Sequence, residues 1–172
     1  MGKRSNFARR KADAYVTPYR AVPPLIPFLD GIKTFAAPCA GTGALVRHLE
    51  SFGLVCVYQN DIAWGVDALQ YPPPLGPFDA IIENPPWTRS ILHSMIDLFQ
   101  GIAPTWLLFD ADWAHTRQAV PYLDQCSHIV AIGRQKWIDG SRWVGKDNAA
   151  WHRFDINHEG GPRFFGQMEK AA

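Results

Sequence analysis

The passage from Ile32 to Gly53 constrains the fold more than any other part of the chain. An apolar run, Ile32 to Ala37, leads into Pro38-Cys39-Ala40-Gly41-Thr42-Gly43, and Ala44 to Phe52 then sets Leu45, Val46 and Leu49 on one face. That order predicts a buried strand, a glycine turn and a helix that ends at Gly53 in the C′ position. The alternation continues. Leu54 to Tyr58 reads as a strand, the segment starting at Phe78 as another, and Ser90 to Gln100 as a helix carrying Ile91, Leu92, Met95 and Ile96. Thr105 to Phe109 is a further strand, Arg117 to Leu123 a short helix or turn, Ile129 to Ile132 a strand, and Trp151 to Ile156 a last one. Strands alternating with helices predict an α/β architecture with a mostly parallel sheet covered on both faces.

A chain of 172 residues suits a single domain. Before the first strand, Val22-Pro23-Pro24-Leu25-Ile26-Pro27-Phe28-Leu29 is a short helix or an irregular lead-in, and Tyr71-Pro72-Pro73-Pro74 leaves no ordinary helix just before Phe78. Hydrophobic residues at 47% and charged ones at 19% describe a folded globular chain. No apolar run approaches the ~20 residues of a membrane span, and Met-Gly-Lys-Arg-Ser-Asn lacks the apolar stretch of a secretory signal. Cys39, Cys56 and Cys126 are odd in number and dispersed. They predict a reducing, cytoplasmic setting, no metal centre, and small buried residues rather than nucleophiles.

A net charge of +1 excludes a protein that coats nucleic acid by bulk electrostatics. The charge is uneven, however: Lys3, Arg4, Arg9, Arg10, Lys11 and Arg20 face only Asp13 within the first 20 residues. This start is a basic arm that touches phosphates or a solvated tail. The domain reading is an arm over 1–14, a catalytic domain over 15–160 and a C-terminal tail over 161–172, without a separate target-recognition domain.

Asn84-Pro85-Pro86-Trp87 follows the apolar segment that begins at Phe78. It stands at the carboxyl end of a predicted strand, where open α/β sheets bind ligands. As a bare tetrapeptide it is also an ordinary turn. Its chemistry suits methylation of an aromatic amine, whose lone pair is delocalised into the ring and must be localised before it attacks. Asn84 offers a side-chain carbonyl and Pro85 a main-chain carbonyl, two acceptors for two N–H bonds. Trp87 offers a face on which a base stacks.

The turn Ala40-Gly41-Thr42-Gly43 lets a ligand approach backbone, because glycine has no Cβ. It lacks the third glycine of the dinucleotide fingerprint and the Gly-Lys-Ser/Thr of a phosphate loop, so nucleotide hydrolysis is disfavoured. Asp61, just beyond the second strand, is placed to accept from ribose hydroxyls or to cap a turn. Asp67, beside Ala68, bonds an adenine amine or caps a turn. Farther along, Trp137, Trp143 and Trp151 are interleaved with Arg134, Lys136, Arg142, Lys146 and Arg153, a mixture suited to nucleic acid. Trp151 and Phe154 read better as core, which leaves Trp143 as the contact candidate. Lys146-Asp147-Asn148 is a turn or part of a target-base loop.

Tyr15-Val16-Thr17-Pro18, Pro38 to Leu45, Asn60-Asp61-Ile62 and Asp79 to Trp87 occur in this order. Together they resemble class I S-adenosylmethionine-dependent DNA N6-adenine methyltransferases, above all the small phage and prophage forms. The resemblance covers about residues 13 to 156 and is most specific in the pairing of the glycine loop with Asn-Pro-Pro-Trp. It implies a Rossmann-like fold of about seven strands and S-adenosylmethionine as cofactor, held by Tyr15, Thr17, Pro18, Pro38, Cys39, Ala40, Gly41, Gly43, Asp61, Ile62, Asp67, Ala68 and Asn84. Catalysis would fall to Asn84, Pro85, Pro86 and Trp87, and target contact to Trp87, Lys136, Trp143, Lys146 and Asn148. The implied partner is DNA, with selectivity from loops, a homodimer or an accessory protein. Two positions depart from the family. Ala37 replaces the acid that helps hold the methionine amine, with Asp110 and Asp112 as alternative acids, and Glu83 replaces a small or hydroxylated residue. Other acceptors, namely an RNA adenine, cytosine N4 or protein glutamine, and a non-catalytic nucleic-acid-binding module remain the competing readings.

Overall fold

The computed structural model describes residues 15–138, 140 and 142–167. The basic arm expected over 1–14 lies outside these described residues. The strands are β1 (Thr34–Ala37), β2 (Val55–Gln59), β3 (Ala80–Glu83), β4 (Thr105–Asp110), β5 (Cys126–Arg134), β6 (Asn148–Phe154) and β7 (Arg163–Phe165). The α-helices are α1 (Ala44–Glu50), α2 (Arg89–Gln100) and α3 (Val120–Leu123). All seven strands join one sheet in the order β2-β1-β3-β4-β6-β5-β7. Pairing is parallel from β2 through β1 and β3 to β4, and again between β5 and β7. Only β6 runs against its neighbours, β4 and β5. This is the Rossmann-like, mostly parallel sheet that the alternation predicts.

Alternate residues of each central strand feed two cores. Phe35, Ile82, Trp106, Leu108 and Trp151 face α1, while Ala36, Ile81, Leu107, Phe109 and Phe154 face α2 and the turn at Ala111–His115. Leu45, Val46 and Leu49 of α1 enter the first core as their spacing predicts, and Leu92, Met95, Ile96 and Phe99 of α2 the second. The proline-rich lead-in forms two 3-10 turns, Tyr19–Ala21 and Ile26–Phe28. Its Ala21, Val22, Leu25 and Leu29 are buried in the first core, so this segment covers sheet where a longer helix would otherwise lie. Trp151 fixes it there by donating from Nε1 to the Ala21 carbonyl at 2.8 Å.

β5 runs Cys126–Arg134, longer at both ends than the expected Ile129 to Ile132, and two further differences concern the strands beside it. β6 begins at Asn148, three residues before the strand read at Trp151, because Ala149 and Ala150 pair on both sides although they carry little strand signal. Arg163 to Phe165, read as part of a C-terminal tail, instead form β7 on the edge of β5. There Phe165 meets Phe28 at 4.6 Å between ring centroids and stacks on His128 at 5.4 Å.

Candidate ligand site at the carboxyl ends of the parallel strands

The ends of β1, β2 and β3 converge through backbone hydrogen bonds. After β1, the Ala40 N–H donates to the Asn60 carbonyl and the Asn60 N–H to the Ala37 carbonyl, which lock the glycine turn to the chain leaving β2. Gly41 and Gly43 both have positive φ, +56° and +73°, as this tight entry into α1 requires. A Cβ at Gly41 would meet nothing within 4 Å. The turn thus opens onto space in which a ligand can lie against backbone.

Asp61 is committed to the same turn. One carboxylate oxygen accepts from the Gly41 N–H at 2.7 Å and the other from the Ala63 N–H at 2.8 Å. It therefore caps the 3-10 turn Ile62–Trp64, and each oxygen retains lone-pair capacity for a ribose hydroxyl. Ile62, 63% exposed, stands beside it as an apolar surface. Asp67 accepts from the Leu69 N–H at 2.9 Å, the turn-capping geometry, and Ala68 is buried in the second core.

At the end of β3, Pro85 is buried while Asn84, Pro86 and Trp87 are half-buried. Asn84 joins the segment entering the domain to the tetrapeptide: its amide nitrogen donates to Thr17 Oγ1 at 3.2 Å and to the Tyr15 carbonyl at 3.5 Å. Thr17 is itself buried, with its carbonyl against His48 of α1 at 3.2 Å, and the Pro18 carbonyl accepts from Ala21 to start the lead-in turn. Asn84 Oδ1 accepts from Trp87 Nε1 at 3.3 Å, and the same N–H is shared with the Leu108 carbonyl at 3.2 Å. Trp137 stands edge-on to Trp87 with centroids 5.4 Å apart.

Glu83 supplies the link between the two motifs. Its side chain is 1% exposed; Oε1 accepts from the Cys39 N–H at 2.9 Å and Oε2 from the Asn84 N–H at 3.2 Å. Burial pushes its carboxyl up to about 8, the two N–H donors oppose this, and the charge of Asp61 adds to the rise. Cys39 lies in the same acidic surroundings. Burial, then Glu83, Asp61 and Asp67 hold its thiol well above the ordinary range, which keeps it neutral and a poor nucleophile. Asp110, considered as a substitute for the acid absent at Ala37, is otherwise engaged: it pairs with Arg89 at 2.6 Å and accepts from the Asp112 N–H at 3.0 Å.

Of the expected target-contact residues, Trp87 follows β3, Lys136, Trp143 and Lys146 lie on the connection between β5 and β6, and Asn148 is the first residue of β6. Lys136 and Asn148 are exposed, Lys146 is half-buried, and Trp143 is 73% exposed. Trp151 is core. Sequence reasoning marked Glu83 as a departure from the family beside Asn84 but not as the link between the two motifs, and it did not separate Trp137 from its neighbouring tryptophans. A lone acid closing an apolar run was the available signal for the first; for the second, which lies against Trp87, it was the resemblance of the stretch from Lys136-Trp137-Ile138 to Phe154 to the segment beside the target base.

The fold is a Rossmann-like α/β domain, and the glycine turn, Asp61 and Asn84-Pro85-Pro86-Trp87 lie at the carboxyl ends of its parallel strands. No family model matches the chain, and no curated protein matches it. Among solved structures it is similar to a dimethyladenosine transferase from Plasmodium falciparum, with 12% identity and a TM-score of 0.49 over 82% of this chain and 62% of that one. The chain thus spans less than two thirds of that protein's length.

Proposed function

We propose that this protein transfers a methyl group from S-adenosylmethionine to the exocyclic N6 amine of adenine in DNA. The observation that carries the reading is the direct connection between the glycine turn and Asn84-Pro85-Pro86-Trp87, both of whose amides end on one buried carboxylate. A cofactor lying on the turn and an amine lying on the tetrapeptide would be neighbours.

The residues fit the nucleoside part of such a cofactor. The turn admits a ligand at Gly41, Asp61 and Asp67 have oxygens for hydroxyl or amine donors, and Ile62 offers an apolar contact to a nucleobase. When bound, S-adenosylmethionine supplies an electrophilic methyl on a sulfonium. The chain then has to orient the amine and exclude water, with no covalent enzyme intermediate. Asn84 Oδ1 accepts one N–H of the flipped-out base. Trp87 can release that oxygen without orphaning its own N–H, because Nε1 also bonds the Leu108 carbonyl. The Pro85 carbonyl accepts the second N–H, and Trp87 stacks on the ring. Since Trp137 stands edge-on against Trp87, the base takes the remaining face or displaces Trp137.

Incubation with methyl-labelled cofactor and unmethylated DNA, RNA and protein, followed by hydrolysis, tests the assignment. Label in N6-methyldeoxyadenosine is expected. Label confined to RNA adenine, cytosine N4 or glutamine would replace the acceptor, and cofactor binding without transfer to any acceptor would favour the binding-module reading.

A further inference from the structure

Asn84 can serve an amine only with its side-chain oxygen turned toward it, because its nitrogen would meet the amine donor to donor. The contacts around the amide set that direction. On the nitrogen stand two acceptors, Thr17 Oγ1 at 3.2 Å and the Tyr15 carbonyl at 3.5 Å, and on the oxygen stands the Trp87 Nε1 donor at 3.3 Å. Turned over, the amide would set oxygen against the Tyr15 carbonyl and nitrogen against the indole N–H, like facing like on both sides. The carbonyl and the indole decide which end points where, and the Thr17 hydroxyl, as the nearer acceptor, supplies the stronger hold on the nitrogen. Thr17 is itself fixed. It is only 5% exposed, and its carbonyl lies 3.2 Å from His48 Nε2 on α1, whose ring meets Tyr19 edge-on at 5.3 Å between centroids.

We infer that Thr17 is a positioning residue for the transfer step: its buried hydroxyl holds the nitrogen of Asn84 so that the oxygen is presented to the amine, and it does not hold the cofactor. The inference rests on the methyl-transfer reading, since only an acceptor amine gives the direction of the amide a meaning. The resemblance to the methyltransferases groups Thr17 with the residues that hold S-adenosylmethionine. The two roles separate in kinetics. A cofactor ligand acts on affinity, whereas a group that orients Asn84 acts on the rate once the cofactor is bound.

Single-turnover methyl transfer to DNA at saturating S-adenosylmethionine, set beside equilibrium titration of the whole chain with that cofactor, tests this in three variants. Thr17→Val keeps the packing and removes the acceptor. Its transfer rate should fall about tenfold, the scale of one lost hydrogen bond, with the cofactor Kd unchanged. Thr17→Ser keeps the hydroxyl and gives up the methyl, and it should recover most of the rate, which a role in packing alone would not give. Thr17→Ala, which loses both, should be at least as slow as Thr17→Val and stands in for it if the valine variant does not fold. An unchanged rate in Thr17→Val overturns the inference and leaves methyl transfer standing. A weaker cofactor Kd in that variant, with or without a slower rate, also overturns it, as does a serine variant as slow as the valine one. A wild-type protein that binds the cofactor and transfers no methyl overturns both.

Discussion

Asn84 carries two kinds of contact, both of which end at its side-chain amide. Its oxygen serves the proposed reaction, whereas its nitrogen holds Thr17 and the Tyr15 carbonyl. Asn84→Ala is expected to lower kcat by about 100-fold or more, the scale on which a positioned hydrogen-bonding group contributes in the transition state. Cofactor affinity should change far less; single-turnover rates alongside equilibrium titration measure the split. The chemistry of this position was legible in the sequence because Asn-Pro-Pro-Trp follows an apolar strand. Glu83 was not, since a carboxylate closing an apolar run gives no sign of its depth. Its burial comes from pairing opposite Leu107 of β4 and from the chain after β1 passing over it, both products of tertiary register. The three tryptophans of the later segment show the same limit. Composition groups Trp137, Trp143 and Trp151, but packing places one against Trp87, leaves one mostly exposed and puts one in the core.

At the scale of elements, the proline-rich lead-in is part of the domain rather than a tether. Trp151→Phe would keep most of the buried ring and leave the Ala21 carbonyl without its 2.8 Å donor. A buried acceptor left unpaired costs about 1–3 kcal/mol. Denaturant midpoints should therefore fall while turnover per folded molecule stays close to wild type. Phe165→Ala tests β7 in the same way: loss of contact with Phe28 and His128 should destabilise by roughly 1–2 kcal/mol, less than a fully buried phenylalanine because Phe165 is half-buried. The strands β1, β3 and β4 were readable as continuous apolar runs, and helices α1 and α2 by their apolar spacing. β7 is three residues long, too short for any period, and is a strand only because β5 offers it an edge.

Across the whole molecule, two fully buried ionisable side chains give stability opposing dependences on pH. Glu83 is raised from 4.5 to about 8, so the native state retains a proton that the unfolded chain loses, and stability declines as pH rises from 4.5 to 8. His152, stacked on Phe109 at 3.9 Å with no well-aligned hydrogen bond to either ring nitrogen, is lowered by burial from 6.5 to about 3, against a smaller upward pull from the Leu107 and Ala150 backbone. The unfolded chain binds a proton that the native state refuses, so stability declines as pH falls from 6.5 toward 3. Between 4.5 and 6.5 the two slopes, each about 1.4 kcal/mol per pH unit, oppose one another. Above 6.5 only that of Glu83 remains. Thermal unfolding without cofactor should therefore show Tm falling from pH 6.5 to 8, and Glu83→Gln should flatten that fall; an equal decline in the variant would assign the slope to other groups. The proposed reaction is methylation of a DNA adenine amine held by Asn84, and mass spectrometry of nucleosides from DNA treated with cofactor and protein reads its product. The reaction predicts N6-methyldeoxyadenosine with wild type and almost none with an Asn84→Ala protein that still binds cofactor. Absence of that nucleoside with wild type, or equal amounts with both proteins, would contradict it.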